Sequence, residues 1–345
     1  MTWSVSFRCV VNAGGDRSWR VGHDLIDEFL SFAHGRARPA TVRAYAHDLK
    51  VFFSIVGKDP TDVTPRDVLE FVRAQQRPRP GAENVVRISD GSGGLSASTI
   101  KRRLAAVSSF YGYLVVRGDV AANPVPRGLP TRKSRHRGGP GVPLVRGVRR
   151  LPRILEPAEV GALMAALRRE RDRAIVQAML LGGLRRCEVL GLRLEDLRLG
   201  EWRVFIADGK GGHQRLVPVS ETFFATVARY LDRERPADTT TDRLFVALQG
   251  HTRGGPLSVD GLDEMLTNAR ARAGLAHGTC HELRHTCLTR LREAGMPIEA
   301  LQAQAGHRSI ASTRIYLHLG ADWLAGEYRR AAEAIEAQAT IGAAR

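Results

Sequence analysis

Apolar residues recur at intervals of three and four along the first third of the chain. This spacing predicts amphipathic helices from about Arg20 to Gly118, because it places the apolar side chains on one face of each helix. Helix start signals support the prediction: Thr64-Pro65 stands before one apolar run, and Ser96 or Ser98 before another. We therefore expect four helices here, interrupted by a Gly-rich loop around residues 81–94.

After residue 153 the pattern becomes mixed. Two helices are predicted, from about 157 to 170 and from 171 to 181, followed by short strands around 202–206 and 215–219. The strands flank Asp208-Gly209-Lys210-Gly211-Gly212, whose residues tolerate positive φ, so a β-hairpin with Lys210 at its tip is expected. Helices dominate again from Ser258 onward. The predicted fold class is mostly α with a small antiparallel β-sheet.

The charge balance points to a polyanionic partner. Lys plus Arg number 52 against 36 Asp plus Glu, which gives a formal net charge of +16 over 345 residues. An excess of this size most often accompanies nucleic-acid binding, and a membrane-surface binder or a basic housekeeping protein shares it less often.

The basic residues are densest between Ala121 and Leu155, a stretch with several prolines and glycines and no acidic residue. Such a composition predicts an extended linker between two domains, each large enough to bury its own core. The predicted organisation is an N-terminal extension (1–19), a helical domain (20–120), a basic linker (121–153) and a mixed, mostly helical domain (154–345).

Lysine is rare in this chain, and its last occurrence is informative. Arginine carries nearly all the positive charge, and the only lysines are Lys50, Lys58, Lys101, Lys133 and Lys210. Only Lys210 lies beyond residue 150. Because lysine, unlike arginine, can give up a proton, Lys210 is a candidate for a proton-donating role.

The cysteine spacing and the absence of long apolar runs predict where in the cell the protein is located. Cys9, Cys187, Cys280 and Cys287 show neither C-x-x-C nor disulfide-framework spacing, which fits a reducing cytosol. We expect Cys280 and Cys287 to be buried free thiols rather than metal ligands. No stretch approaches the roughly 20 apolar residues of a membrane span, and the start has no signal-peptide pattern. A cytoplasmic protein without a membrane partner is expected.

Two segments carry the residue types of a phosphate-binding site. Gly182-Gly183 precedes a helix whose first turn holds Arg185 and, three residues on, Glu188, so that a carboxylate can buttress the arginine. Further along, His281 and Arg284 share a helix face through i,i+3 spacing. Two arginines from separate helices form a fork suited to the nonbridging oxygens of a phosphodiester.

Taken together, these motifs resemble the tyrosine recombinase family, also called the phage integrase family. The matching segments are Gly183-Leu184-Arg185 with Glu188, Lys210-Gly211-Gly212 leading into Arg215-Leu216-Val217-Pro218, His281-Glu282-Leu283-Arg284-His285-Thr286, and Gly306-His307-Arg308-Ser309 through Thr313 to Tyr316-Leu317-His318. The resemblance covers most of the chain. It implies a SAM-like core-binding domain at 20–120, a catalytic domain at 154–345, and a two-domain clamp that closes around duplex DNA.

The resemblance also implies a reaction. Tyr316 would attack the scissile phosphate, form a 3′-phosphotyrosyl link and free a 5′-hydroxyl. Arg185 and Arg284 would neutralise the transition state, and His307 would donate a further hydrogen bond to it.

The remaining implied roles concern protons and support. Lys210 would protonate the departing 5′-oxygen, and His281 would accept or relay a proton near the tyrosine. Glu188 would hold the helix that carries Arg185, and His285 is expected to have a structural role, bonding within the helix bundle. Because a phosphotyrosyl bond keeps the energy of the broken phosphodiester, the resemblance implies no ATP, no metal and no other cofactor.

The implied partner is double-stranded DNA at a specific recombination site, bound by a homo-tetramer on paired sites. About 20 residues precede the core-binding-like region, too few for an extra arm-type DNA-binding domain, which favours integration or transposition of a mobile element. The segment from Ala321 to Ala339 either docks on a neighbouring protomer or packs on its own domain. The candidate DNA-binding residues are Lys101, Arg102, Arg103, Arg132, Lys133 and Arg135.

One alternative enzyme class uses the same pentapeptide. His281 to His285 spell H-E-x-x-H, the zinc metalloprotease signature, with Glu282 as general base and Glu293 or Glu299 as a nominal third ligand. This interpretation leaves the positive charge and the hairpin lysine unexplained. It also places the cationic Arg284 within one turn of both histidines, which disfavours a dication there.

Two further alternatives act on DNA. A non-catalytic DNA-binding protein would keep the charge and the helical domain but would not need Tyr316, Lys210 and His307 together. A relaxing topoisomerase uses the same tyrosine chemistry without site specificity, and the recombinase-like N-terminal region favours recombination over it.

Overall fold

The computed structural model describes residues 6–11, 17–78, 94–126, 128, 143–146, 153–207 and 214–307. The chain divides into two compact units, Met1–Arg149 and Arg150–Arg345, and each is described by itself. The division falls inside the predicted linker. The described residues are mostly helical with small antiparallel sheets, which confirms the predicted fold class.

The described part of the first unit contains an antiparallel pair of strands followed by four helices. The apolar spacing had predicted these helices. Strand β1 pairs with β2 in antiparallel register, and no strands were predicted there from the sequence. A short 3₁₀ turn at Pro60–Asp62 separates the second and third helices. The elements are β1 (Arg8–Val11), β2 (Arg17–Arg20), α1 (Asp24–His34), α2 (Pro39–Val56), α3 (Pro65–Gln76) and α4 (Ala97–Arg117).

Local sequence sets the ends of these helices. The Ser96 side chain accepts a hydrogen bond from a first-turn backbone N–H at 3.2 Å, as its predicted capping position requires. At the start of α3, the Thr64 backbone N–H and hydroxyl both donate to the Asp67 carboxylate at 2.8 Å. Helices α2 and α4 end at Gly57 and Gly118, both in the left-handed conformation that glycine adopts without strain.

The core of the first unit is built on aromatic side chains from its helices. Phe52 and Phe71 meet edge-to-face with ring centroids 4.8 Å apart, and Phe53 meets Phe110 in the same way at 5.8 Å. All four rings are fully buried. Val145 is also buried in this core, so part of the stretch predicted as linker packs against the first unit.

The described part of the second unit contains the predicted helices and the two predicted strands, together with a short strand at Leu197–Arg198 and a helix at Glu221–Arg233 that the sequence had not predicted. The strands form a three-stranded sheet in the order β3-β4-β5, and both strand pairs are antiparallel. The elements are α5 (Pro157–Ala166), α6 (Glu170–Leu180), α7 (Arg186–Gly191), β3 (Leu197–Arg198), β4 (Arg203–Ile206), β5 (Arg215–Pro218), α8 (Glu221–Arg233), α9 (Val259–Ala273), α10 (Cys280–Glu293) and α11 (Ile298–Ala305).

Helix α6 lies at the centre of the second unit. Its residues 174–179 are all buried, so neighbouring elements must cover it on every side, and α8 and α10 both pack against it. A smaller cluster of Leu288, Leu301 and Ala305 fixes α11 on α10. Full burial of a leucine such as Leu301 contributes about 2 kcal/mol. Helix α10, which carries His281 and Arg284, and α11, which leads to His307, are therefore held together by apolar packing.

The predicted hairpin is present at its described ends. In β4 and β5, Ile206 pairs with Arg215 and Arg203 with Pro218. Lys210, the predicted tip residue, lies outside the described residues. Among the described residues, no helix has the length and apolar character needed to cross a membrane.

Candidate active site

The turn before α7 presents Arg185 at the helix N-terminus. Gly183 has φ +65°, and a Cβ there would lie 3.3 Å from the Leu288 side chain, so glycine suits both its conformation and its close contact with α10. Arg185 is the N-cap residue of α7, and the Glu188 carboxylate reaches back to its backbone N–H at 2.8 Å. The glycine pair and the i,i+3 carboxylate act as the sequence predicted.

Glu188 gathers arginines from separate elements. Its Oε1 accepts from Arg185 Nη1 at 2.7 Å, and both of its oxygens accept from the Arg215 guanidinium at 2.9 Å. Arg284 Nη1 lies 4.0 Å from Oε2. The carboxylate itself is fully buried, so three guanidinium groups surround one desolvated negative charge.

This environment sets the charge of Glu188. Burial alone would raise the pKa of the Glu188 carboxyl above its ordinary 4.5. The hydrogen bonds and charge of Arg215, followed by those of Arg185, instead lower the pKa to about 2. Glu188 is therefore ionised at neutral pH, and its charge keeps the arginines in place.

Arg284 joins the Gly183 turn to the end of α11. It is buried, with 4% of its side chain exposed. Its Nη1 donates to the Gly183 carbonyl, its Nη2 donates to the Ala305 carbonyl at 2.6 Å, and Nη2 lies 3.3 Å from His307 Nε2. Arg284 and His307 therefore meet at one place, although they are 23 positions apart in the sequence.

The end of α11 delivers His307 to the same place. Gly306 has φ +59° and ends the helix in the left-handed conformation, and its carbonyl accepts from Arg185 Nη2 at 3.1 Å. Gln302 bonds both backbone groups of His307. The His307 N–H donates to the Gln302 backbone carbonyl at 3.1 Å, and Gln302 Nε2 donates to the His307 carbonyl at 3.0 Å. These contacts set the histidine backbone beside the arginines.

His281 and His285 form a pair on α10. Their Nε2 atoms are 2.7 Å apart and their rings meet edge-on, so one imidazole donates and the other accepts. Burial, followed by the positive charge of Arg284, lowers the pKa of His281. Burial and the neighbouring His281 lower the pKa of His285 to about 4. Both rings are therefore mostly neutral near pH 7.

Glu282 is committed to the start of α10. Its Oε2 accepts from the backbone N–H groups of Gly278 and Thr279 at 2.9 and 2.7 Å, and from the Thr279 hydroxyl at 3.0 Å. Burial would raise the pKa of Glu282, but these Thr279 and Gly278 bonds lower it. A carboxylate occupied in this way is a helix cap, which disfavours the general-base role that the metalloprotease alternative needs.

Neither cysteine beside the histidine motif has the character of a metal ligand. Cys287 is buried and Cys280 half-buried, and burial raises their thiol pKa values to about 12 and 11 respectively. Within the described ranges, no group of three or more His, Cys, Asp or Glu side chains could hold a metal ion.

The described structure brings together Arg185, Glu188, His281, Arg284 and His307, five of the seven residues that the sequence proposed for the site. The other two, Lys210 and Tyr316, lie outside the described residues, as does the segment from 321 to 339.

The candidate DNA-binding residues divide in the same way. Arg132, Lys133 and Arg135 lie outside the described residues. On α4, Lys101 is exposed, whereas Arg102 forms an ion pair with the buried Asp48. Arg103 Nη1 donates to Gln75 Oε1 at 2.7 Å, and only 11% of its side chain is exposed. Arg103 therefore already serves the interior of the first unit.

Comparisons with known proteins identify the family of this arrangement. The model of the phage integrase family matches residues 153–322, and that of the phage integrase N-terminal SAM-like domain matches residues 26–118. Tyrosine recombinase XerC of Pelobacter propionicus is 30% identical over 303 residues, covering 85% of this chain and 89% of the relative. Tyrosine recombinase XerD of Lacticaseibacillus casei is 28% identical over 322 residues, covering 89% and 98%.

The chain belongs to the phage integrase family, that of the tyrosine recombinases. It is therefore a tyrosine-type site-specific recombinase, an enzyme that cleaves and rejoins DNA strands, as its motifs predicted. The family assignment replaces the metalloprotease and non-catalytic alternatives.

Solved structures share the fold of this recombinase. The integrase of transposon Tn1549, in complex with transposon right end DNA, matches with a TM-score of 0.66 and 19% identity, over 90% of this chain and 100% of that chain. The XerH site-specific recombinase bound to palindromic difH substrate matches with a TM-score of 0.62 and 20% identity, over 88% and 83%.

Arg215 belongs to one of the family motifs, but its sequence context predicted no role for it. On β5 the side chains of Arg215 and Val217 share a face, and Val217 is fully buried. An arginine on the buried face of a strand needs a carboxylate partner. The alternation of Arg215 and Val217 in the sequence could therefore have predicted a buried ion pair at Arg215. The buried Gln304, which donates to the Gly182 and Pro218 carbonyls at 3.0 and 3.2 Å, carried no such signal.

Proposed function

We propose that this recombinase cleaves and rejoins duplex DNA at a specific site through a covalent intermediate on Tyr316. The Tyr316 oxygen attacks phosphorus, a 3′-phosphotyrosyl bond forms, and the bond to the 5′-oxygen breaks. The 5′-oxygen leaves with a proton from Lys210. A 5′-hydroxyl of the second DNA strand then reverses these steps, which restores the phosphodiester and the tyrosine.

One observation supports this proposal above the others: Arg185 and Arg284, from separate segments, converge beside the buried Glu188 carboxylate. Arg185 and Arg284 approach the carboxylate from α7 and α10, and His307 lies beside Arg284. Their guanidinium groups supply the positive charge that a phosphorane-like transition state requires. Because water is largely excluded from the buried parts of this cluster, the solvent screens the attraction between these charges and the transition state only weakly.

The histidine pair supplies a proton acceptor. His281 is mostly neutral near pH 7 because burial and Arg284 lower its pKa. A neutral imidazole can take the proton of the attacking phenol, whose unperturbed pKa is about 10. We assign this role to His281, with His285 as its hydrogen-bonding partner.

The proposed partner is double-stranded DNA carrying a specific site. The Tn1549 integrase and XerH, whose fold this chain shares, were each solved with DNA. The net charge of +16 supports the same partner through phosphate contacts. The described cysteines are free, which fits a cytoplasmic location.

The covalent step is tested with suicide DNA substrates, nicked near a candidate crossover site from the flanks of the gene. Wild type in EDTA should form a protein–DNA adduct that survives denaturant, and Tyr316→Phe should form none. DNA binding without an adduct would reject the covalent chemistry at that site, and loss of the adduct in EDTA would reject metal-free catalysis.

The finer part of the proposal is integration or transposition of a mobile element by a homo-tetramer on two sites. It rests on the expectation from the sequence. Cells carrying the gene should yield an excised circle whose junction joins the two flanks, and Tyr316→Phe should abolish it. Mass photometry of the protein with its DNA should show four protomers on two duplexes; two protomers at saturation would contradict the tetramer.

A further inference from the structure

Arg215 connects three parts of the catalytic unit. It begins β5, and its guanidinium donates to both oxygens of Glu188 at 2.9 Å. Its Nε donates to the Gln304 carbonyl on α11 at 3.3 Å. A Cβ at Gly306 would lie 2.9 Å from Arg215 Cζ, so the guanidinium packs directly against the residue before His307. The Arg215 side chain thus connects β5 with α7, through Glu188, and with the end of α11.

The charge of Glu188 is shared unequally. Arg215 binds both carboxylate oxygens, whereas Arg185 gives Nη1 to one of them and its Nη2 to the Gly306 carbonyl at 3.1 Å. Arg215 is also the largest influence lowering the carboxyl pKa. The bidentate partner of Glu188 is therefore Arg215, and the Arg185 guanidinium keeps N–H groups for another anion.

Loss of the Arg215 guanidinium would change this division. A buried carboxylate deprived of its bidentate partner draws the next guanidinium toward it, because an unpaired buried charge is costly. Arg185 is that neighbour, at 2.7 Å. Capture of Arg185 by Glu188 would remove its guanidinium from the Gly306 carbonyl and remove one positive charge from the cluster.

We propose that Arg215 is a positioning residue of the recombinase. By neutralising Glu188 bidentately, it keeps the Arg185 guanidinium directed at the scissile phosphate. Arg215 acts through Glu188 and does not touch the DNA. This proposal rests on the proposed function, in which Arg185 contacts that phosphate.

The test compares two suicide substrates with the full-length protein in single-turnover cleavage. One has the natural scissile phosphate, and the other has a methylphosphonate, in which a neutral methyl group replaces a charged nonbridging oxygen. Misplacing Arg185 should slow Arg215→Gln about 100-fold on the phosphate. On the methylphosphonate, which needs less positive charge, the loss should be below about 10-fold. DNA affinity should change little.

Arg171→Gln is the matched control for Arg215→Gln, and Arg171→Lys is the control for Arg215→Lys. Arg171 also forms a buried pair through two guanidinium nitrogens, which both donate to Asp172 Oδ1 at 2.8 and 2.7 Å, and it also donates to the Val246 carbonyl at 3.0 Å. It lies outside the site, so its replacement should reduce stability but leave the ratio of the two cleavage rates unchanged. If Arg215→Gln fails to fold, Arg215→Lys decides the matter, because it keeps the charge and loses the bidentate geometry.

Several outcomes would overturn the proposal. They are a wild-type rate in Arg215→Lys, or equal losses on phosphate and methylphosphonate for whichever Arg215 variant folds. A third is a strictly multiplicative loss in the double variant Glu188→Gln/Arg215→Gln, since residues that act through one another are not additive. Absence of any adduct with wild type would instead reject the proposed function itself.

Discussion

At the scale of single residues, Glu188 explains how a cluster of like charges is stable. Arg185, Arg215 and Arg284 would repel one another without a shared carboxylate. Burial makes this carboxylate costly to ionise, and the guanidinium hydrogen bonds more than offset that cost, as its pKa of about 2 records. The same residue therefore serves stability and the arrangement of the catalytic charge.

Glu188→Gln should lower the free energy of unfolding by about 3 kcal/mol at neutral pH, because buried guanidinium groups lose their counter-charge. The folded carboxyl has a pKa of about 2 against an ordinary 4.5. The advantage of wild type is therefore complete above the unfolded pKa and declines as the pH falls toward the folded one. Urea unfolding at pH 7 and pH 3 measures it. An equal difference at both pH values would contradict the role of Glu188.

Gly306→Ala should impair the site more than its backbone strain explains. Gly306 has φ +59° and faces Arg215, whereas Gly274 has φ +67° and nothing within 4 Å of an added Cβ. Gly274→Ala should cost about 1 kcal/mol and leave cleavage unchanged, while Gly306→Ala costs about twice that. Displacement of Arg215 should also slow adduct formation about 10-fold. Equal cleavage by the two variants would show that the contact is unimportant.

At the scale of elements, helix α10 has a start that is independent of its chemistry. Thr279 and Glu282 form the capping box, and His281 and Arg284 follow within the first two turns. The H-E-x-x-H pattern arises here because a capping glutamate falls between two histidines. Its position satisfies the orphan N–H groups of the helix end.

Glu282→Gln tests this interpretation of the motif. The variant should lose about 1 kcal/mol of stability, because a carboxylate at a helix N-terminus is replaced by a neutral amide. Adduct formation should stay within about 3-fold of wild type once the folded fraction is equal. Glu159→Gln is the control, since Glu159 caps α5 in the same way at 2.9 Å. A loss as complete as that of Tyr316→Phe would assign Glu282 to catalysis.

At the scale of the whole molecule, the net charge of +16 is not equally available to DNA. Several arginines already have partners inside their own unit: Arg103 binds Gln75, and Arg171 binds Asp172. Lys101, which precedes Arg103 by two positions on α4, is exposed. Salt dependence of DNA binding separates these two kinds of cation, because only phosphate contacts release counterions.

Lys101→Gln should reduce the slope of log Kd against log salt concentration by about 0.9, the value for one phosphate contact. Arg103→Gln should leave the slope unchanged, because its guanidinium is held by Gln75. Titrations of full-length protein and duplex DNA at several salt concentrations measure both. Equal slopes for wild type and Lys101→Gln would remove Lys101 from the DNA contact, and a reduced slope for Arg103→Gln would add Arg103 to it.

The sequence predicted most of the helices and the strands β4 and β5 because each depends on neighbouring residues, whereas α8 and β3 were not predicted. Apolar spacing, Ser96 and Thr64 caps, and the glycine-rich turn act within a few positions of the chain. The N-terminal hairpin was missed, since its short strands have weak alternation and gain stability from packing against α1 and α2.

By itself the sequence determined the motifs, their order and the i,i+3 pairing of Arg185 with Glu188. Only the tertiary structure decided that Arg215 is the bidentate partner of Glu188, that Arg284 binds the Gly183 and Ala305 carbonyls, and that Arg103 is held internally. The physical reason is range. A helical period fixes which side chains share a face, whereas a buried carboxylate takes its partners from whichever elements the core brings beside it.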